Sequence, residues 1–107
     1  MQIIFGKDNA DILREKYLVF DLDSFDVNGQ ILDTYCVLAH TAIPIDDLEN
    51  VDRLIKVHNA MVHEIKKDNY SFAEQAIEHL MGHFGGELDT FYTELLTRVE
   101  KKKLENT

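Results

Sequence analysis

The chain has one cysteine, one proline and no tryptophan. A lone thiol, Cys36, can close no internal disulfide and builds no thiolate metal cluster, which fits a reducing cytoplasm. A single proline beside a hydrophobic content of 45% excludes the disordered and low-complexity classes. No apolar run reaches the ~20 residues that a membrane-spanning helix needs. The opening MQIIFGKDNAD has neither a basic leader nor a long apolar stretch, so no signal peptide is expected. Positive charge is also scarce: 11 basic residues stand against 20 acidic ones, a net charge of −9. Such a surface repels phosphate backbones and argues against direct nucleic-acid binding. It suits solubility, a basic protein partner or a metal ion. There is no GxGxxG, no P-loop and no HExxH, and no cofactor is expected.

The strongest positive signal runs from Tyr17 to His40. Two stretches rich in β-branched and aromatic residues flank Asn28-Gly29, the dipeptide best suited to a two-residue type I′ turn. With that loop, Val27 faces Gln30, Phe25 faces Leu32, Leu22 faces Tyr35 and Leu18 faces Ala39. Period-two alternation then puts Leu18, Phe20 and Leu22 on one face with Ala39, Val37 and Tyr35, the expected core face. The opposite face would carry Val19, Asp21, Asp23 and Phe25 against Leu38, Cys36, Thr34 and Leu32.

Met1 to Phe5 reads as a further short strand that lies antiparallel beside Val37, since two strands alone are marginal in water. Asp8 or Asn9 could cap a short helix through Lys16, with Ile12 and Leu13 as its contacts; an irregular turn fits the same stretch. After Pro44 the period changes. Leu48, Val51, Leu54, Ile55, His58, Met61, Val62 and Ile65 form a helical stripe from Asp46 to Lys67. Ser71 and Glu74 have the spacing of a capping box and open a helix to Phe84, stopped by Gly85-Gly86. A last helix runs from Glu87 to Lys103, with acids first and lysines last as the helix dipole prefers. The expectation is a single α+β domain over 1–107: a small antiparallel sheet of an N-terminal strand and a hairpin, then three helices packed on one face.

Val19-Phe-Asp-Leu-Asp-Ser-Phe resembles the first motif of the haloacid-dehalogenase-like phosphatases, an apolar strand ending in two aspartates one residue apart. The resemblance implies that Asp21 attacks phosphorus and Asp23 acts as general acid, with magnesium between them. It covers Val19 to Phe25 only, and Ser24 and Phe25 stand where that family has Gly-Thr. Read from the strand alone, Asp21 and Asp23 are polar residues sharing a half-exposed face. A second candidate is His79 with His83, one helical turn apart and able to chelate zinc, with His58 from the long helix as a third ligand. Cys36, expected opposite Asp21, reads as structural, because a neighbouring carboxylate raises a thiol's pKa.

Two readings of function follow. The first is a non-enzymatic interaction or regulatory module, in the manner of an inhibitor, antitoxin, adaptor or chaperone, that binds a protein partner of basic character and forms a homodimer. Phe25 and Leu32 near the hairpin tip are its expected interface, and the wide stripe of the long helix offers further apolar surface. The second is a metal-dependent enzyme or metal-binding protein using His79 and His83, or Asp21 and Asp23.

Overall fold

The computed structural model describes residues 2–105, so the expected start of the first strand at Met1 lies outside them. The fold is α+β, with a three-stranded antiparallel sheet and five α-helices. Strand β1 (Gln2–Phe5) leads through α1 (Lys7–Leu13) to the hairpin of β2 (Leu18–Val27) and β3 (Gln30–Leu38). Helices α2 (Ile45–Leu48), α3 (Val51–Lys66), α4 (Tyr70–Leu80) and α5 (Asp89–Glu105) follow. Asn28 and Gly29 take φ of 54° and 85°, the left-handed pair that the turn requires. Asp26 Oδ1 accepts the Gly29 N–H at 3.0 Å and closes it. The sheet order is β1-β3-β2, with β1 antiparallel beside Val37 as the sequence predicts; Gln2 is the residue opposite it.

Near the turn the register is the expected one, Val27 with Gln30 and Phe25 with Leu32. It then shifts. Asp21 pairs with Tyr35 and Ser24 with Asp33, so Leu22 and Asp23 together oppose Thr34. This β-bulge replaces the expected partners of Leu18 and Leu22: Leu18 faces Leu38, and Phe20 faces Cys36. A one-residue slip exchanges the faces of everything beyond it. Cys36 and Leu38 therefore join Leu18, Phe20 and Leu22 in the main core. Val37 and Tyr35, expected in that core, turn to the opposite face with Val19.

The opposite face is also covered. Helix α1 lays Ala10 and Leu13 against Val19, Tyr35 and Val37, so one helix packs on the side where none was expected. Its contact is Ala10 rather than Ile12, which is 70% exposed. Helices α3, α4 and α5 supply the main core with Leu54, Met61, Val62, Ala73, Ala76, Ile77, Leu80, Tyr92, Leu95 and Val99. The stripe of α3 is wide because it meets both β2 and α4. Ile55 and Ile65 of that stripe are half-buried at the edge of the core.

The long helix is divided: α2 ends at Leu48 and α3 starts at Val51, around Asn50 at φ −120°. Helix α4 is capped by Asn69, whose Oδ1 accepts the Phe72 N–H at 3.5 Å, and not by Ser71. Glu74, the other half of the expected box, pairs with Lys103 of α5 at 3.0 Å. Helix α4 also ends early, at Leu80, and Phe84, Gly85 and Gly86 all take positive φ, a left-handed turn. Phe84 tolerates this because its side chain is fully buried edge-on to Phe20 at 4.7 Å and its N–H is held by Asp47 Oδ2 at 2.9 Å. Gly85 is required twice over, since a Cβ there would lie 3.0 Å from the Ala42 carbonyl oxygen at φ +65°.

Candidate functional site

Three surface clefts meet at the bulge and share Leu22 and Asp23. A bulge frees main-chain groups that need partners. Thr34, directly opposite, supplies them: its Oγ1 accepts the Asp23 N–H at 3.0 Å and donates to the Asp23 carbonyl at 2.9 Å. Asp23 Oδ1 accepts the Ser24 N–H at 2.9 Å, and Oδ2 accepts from Arg98 Nη1 of α5 at 2.9 Å. Ser24 Oγ donates to Asp33 Oδ1 at 2.6 Å and accepts from Lys66 Nζ of α3 at 3.0 Å. Two carboxylates, two cations and two hydroxyls thus tie the bulge to α3 and α5.

Helix α3 covers the outer edge of β2 at Asp21. Asn59 Oδ1 accepts the Asp21 N–H at 3.0 Å, and His58 Nε2 donates to the Asp21 carbonyl. His58 Nδ1 accepts from the Tyr92 hydroxyl at 2.9 Å, which fixes a neutral imidazole protonated at Nε2. The ring is fully buried, between Phe20 and Phe91, and burial holds its pKa down to about 4, against the smaller upward pull of the Asp21 carbonyl. His58 is accordingly committed at both nitrogens to packing α3 on β2 and α5.

The other metal candidates are arranged differently from the helical pair that the sequence predicts. His79 is on α4 but His83 lies beyond its end, with ring centroids 6.0 Å apart. His83 Nδ1 bonds to Asp47 Oδ1 at 2.8 Å, and the same carboxylate holds Phe84 N–H. The structure brings His79, His83 and Asp47 to one end of the helical layer and leaves His58 in the core. Among the described residues no group of three or more His, Cys, Asp or Glu is placed to hold a metal ion.

Asp21 and Asp23 do not share a face either. The bulge separates them: Asp21 lies 3.6 Å from Arg14, which also sits over the Tyr35 ring on the α1 side, while Asp23 binds Arg98 on the α5 side. Each carboxylate faces a different guanidinium, an arrangement unlike two oxygens converging on one magnesium ion. Cys36 lies opposite Phe20, not Asp21, and is fully buried; that burial pushes its thiol up to about 12.

On the far side of the bulge the sheet outruns its helices. Ile3, Phe5 and Phe25 stay 50%, 53% and 51% exposed although they lie on the face that α3, α4 and α5 cover elsewhere. With Phe91, Glu94 and Arg98 of α5 they line an open groove of about 290 Å³. Phe25 and Leu32 are paired there, as the sequence predicts, but on the helix-side face. Ile3, Phe5 and Phe91 are the residues that sequence reasoning missed. The alternation of Ile3 and Phe5 was the available signal, unusable until the bulge fixed which face they share with Phe25. Comparison with known protein families, curated proteins and solved structures finds no match to this chain.

Proposed function

We propose that the protein is a non-enzymatic interaction module of the cytoplasm, and that the apolar overhang of the sheet is its contact surface. One observation carries the reading: Ile3, Phe5 and Phe25 stay about half exposed on the sheet face whose other end, at Leu18, Phe20, Leu22, Cys36 and Leu38, is buried core. Exposed apolar residues scattered singly are ordinary, but these line one groove with Phe91, beside Leu32 on the paired strand.

The simplest occupant is a second copy, because two-fold pairing buries one patch twice. The exposed halves of these three side chains offer on the order of 300 Å² per copy. At ~25 cal/mol per Å² that is roughly 15 kcal/mol for two copies, against association costs of about 4–15 kcal/mol. The balance, roughly 0–11 kcal/mol, leaves room for a reversible dimer and no more. The rest of the surface, at net −9, stays available to a basic protein. Sedimentation velocity at micromolar concentration tests the reading. The unaltered chain is expected to dimerise, and Phe25→Ser with Leu32→Ser to shift it to monomer with its circular dichroism unchanged. A 12.4 kDa monomer throughout would refute it.

A further inference from the structure

The two edges of the sheet are treated differently. The β2 edge is closed where Asp21 points its N–H and carbonyl outward, by Asn59 and His58. Among the described residues the β1 edge is covered only at the Phe5 carbonyl. Gly6 N–H donates to the Asp33 carbonyl at 2.9 Å, which sets the phase of the ladder. By alternation Gln2 and Ile4 turn their main-chain groups toward β3, and Ile3 and Phe5 turn theirs outward. Asn9 Nδ2 donates to the Phe5 carbonyl at 2.9 Å. The Ile3 N–H, the Ile3 carbonyl and the Phe5 N–H then face solvent among the described residues. Natural edge strands are guarded by shortness, a charge, a proline or a bulge, and the four residues of β1 have only the first of these. β1 reads Gln-Ile-Ile-Phe, with no charge, proline or bulge.

We infer that two copies of this chain pair through β1, antiparallel about a two-fold axis at Ile4, to make one six-stranded sheet. This rests on the reading of the overhang as a contact surface and specifies how it is used. In that register Ile3 of one copy lies opposite Phe5 of the other, and the reverse. Each Ile3 N–H reaches a Phe5 carbonyl, whose second lone pair is free of Asn9, and each Phe5 N–H reaches an Ile3 carbonyl. Four hydrogen bonds result, and all the outward groups of both strands are used. The side chains agree with the backbone. Ile3 and Phe5 share the helix-side face, so pairing stacks two Ile3–Phe5 contacts across the axis and joins the two grooves lined by Phe25 and Phe91. An uncharged strand suits self-contact, because the net −9 of each copy resides elsewhere. The apolar area, on the order of 300 Å² per copy, is below the ~800 Å² per partner of a standard interface and suits a transient dimer.

The test combines sedimentation velocity across a salt series with amide hydrogen exchange of the full chain. Self-association is expected to tighten several-fold from ~50 to ~300 mM salt, as like charge is screened. The Ile3 and Phe5 amides are expected to be protected in the dimer and to exchange freely on dilution to monomer. Ile3→Pro removes an outward donor without touching a β1–β3 hydrogen bond, and is expected to be monomeric with unchanged helical signal. A dimer whose Ile3 and Phe5 amides exchange as fast as in the monomer overturns β1 pairing and leaves the overhang reading standing. Association that weakens with salt overturns the uncharged β1 contact, because it shows copies held by opposite charges elsewhere on the surface, and a monomer at every concentration overturns both readings. Should Ile3→Pro fail to fold, the amide exchange of the unaltered chain decides alone.

Discussion

Acid should loosen this fold through one residue. His58 is fully buried, donates to the Asp21 carbonyl, accepts from Tyr92 and is flanked by Phe20 and Phe91. Its folded pKa of about 4 lies below the ordinary histidine value of 6.5, so the unfolded chain binds the proton more readily. The stability tied to neutral His58 is then fully present above pH ~6.5 and is lost as pH falls toward about 4. Integrating a single group between these two values gives a loss of about 2 kcal/mol from pH 7 to pH 5 and about 3 kcal/mol by pH 4. The titratable group bonded to it is Tyr92, whose hydroxyl burial pushes up and which is neutral throughout this window.

Urea unfolding at pH 7, 5 and 4 measures the loss, and His58→Gln isolates it from the carboxylates. Glutamine can keep a donor near the Asp21 carbonyl but has no proton to gain. It should cost about 1–3 kcal/mol at pH 7, because the Tyr92 hydroxyl loses its acceptor, and then vary less with pH. The difference between the two chains should therefore shrink from pH 7 to pH 4. A constant difference would show that His58 titrates alike in both states, and the assignment of a buried neutral imidazole would fall.

Three further outcomes are expected. Gly29→Val forces a β-branched residue to φ of 85° and should destabilise by about 1–2 kcal/mol in urea melts; an unchanged midpoint would contradict the turn geometry. Asp47→Ala removes the acceptor shared by His83 and the left-handed Phe84 N–H and should cost about 2 kcal/mol, whereas a neutral effect would mean that packing alone holds that turn. Near-stoichiometric zinc should raise the melting temperature little, since His83 Nδ1 is bonded to Asp47 and His58 is locked in the core. A strong rise abolished by His79→Ala with His83→Ala would establish a metal site instead.

Much of the architecture is legible in the residues because local chemistry and burial agree there. Asn28-Gly29 specifies its turn, the pattern Leu54, His58, Met61 and Val62 specifies a helix with a buried face, and the pairing of the first strand with β3 follows from the need for a third strand. Helix ends are less legible, because competing caps decide them. Ser71 and Glu74 have the right spacing, yet Asn69 lies one residue before Tyr70 and caps first. His79 and His83 have helical spacing, yet Gly82 at φ 86° lets the chain leave the helix between them. Pairwise spacing cannot foresee such outcomes, because the energies that decide them differ by about 1 kcal/mol.

The candidate site was less legible than the fold for a single reason, the bulge at Leu22 and Asp23. Neither residue announces it. Its partner Thr34 reads as an ordinary strand residue, and only the two hydrogen bonds of its hydroxyl to the Asp23 main chain show its role. Yet that one extra residue decides three matters together. It sends Asp21 to Arg14 and Asp23 to Arg98, which dissolves the carboxylate pair that spacing suggests. It moves Cys36 from an expected neighbour of Asp21 into the main core. And it turns Phe25 to the helix-side face, where Ile3 and Phe5 already lie and where α5 stops short of covering them. A regular ladder would have kept the two aspartates on one face with Phe25, leaving polar and apolar candidates mixed. The bulge sorts them, putting the charges into bonds with the helices and the exposed apolar side chains into one strip beside the open edge of β1.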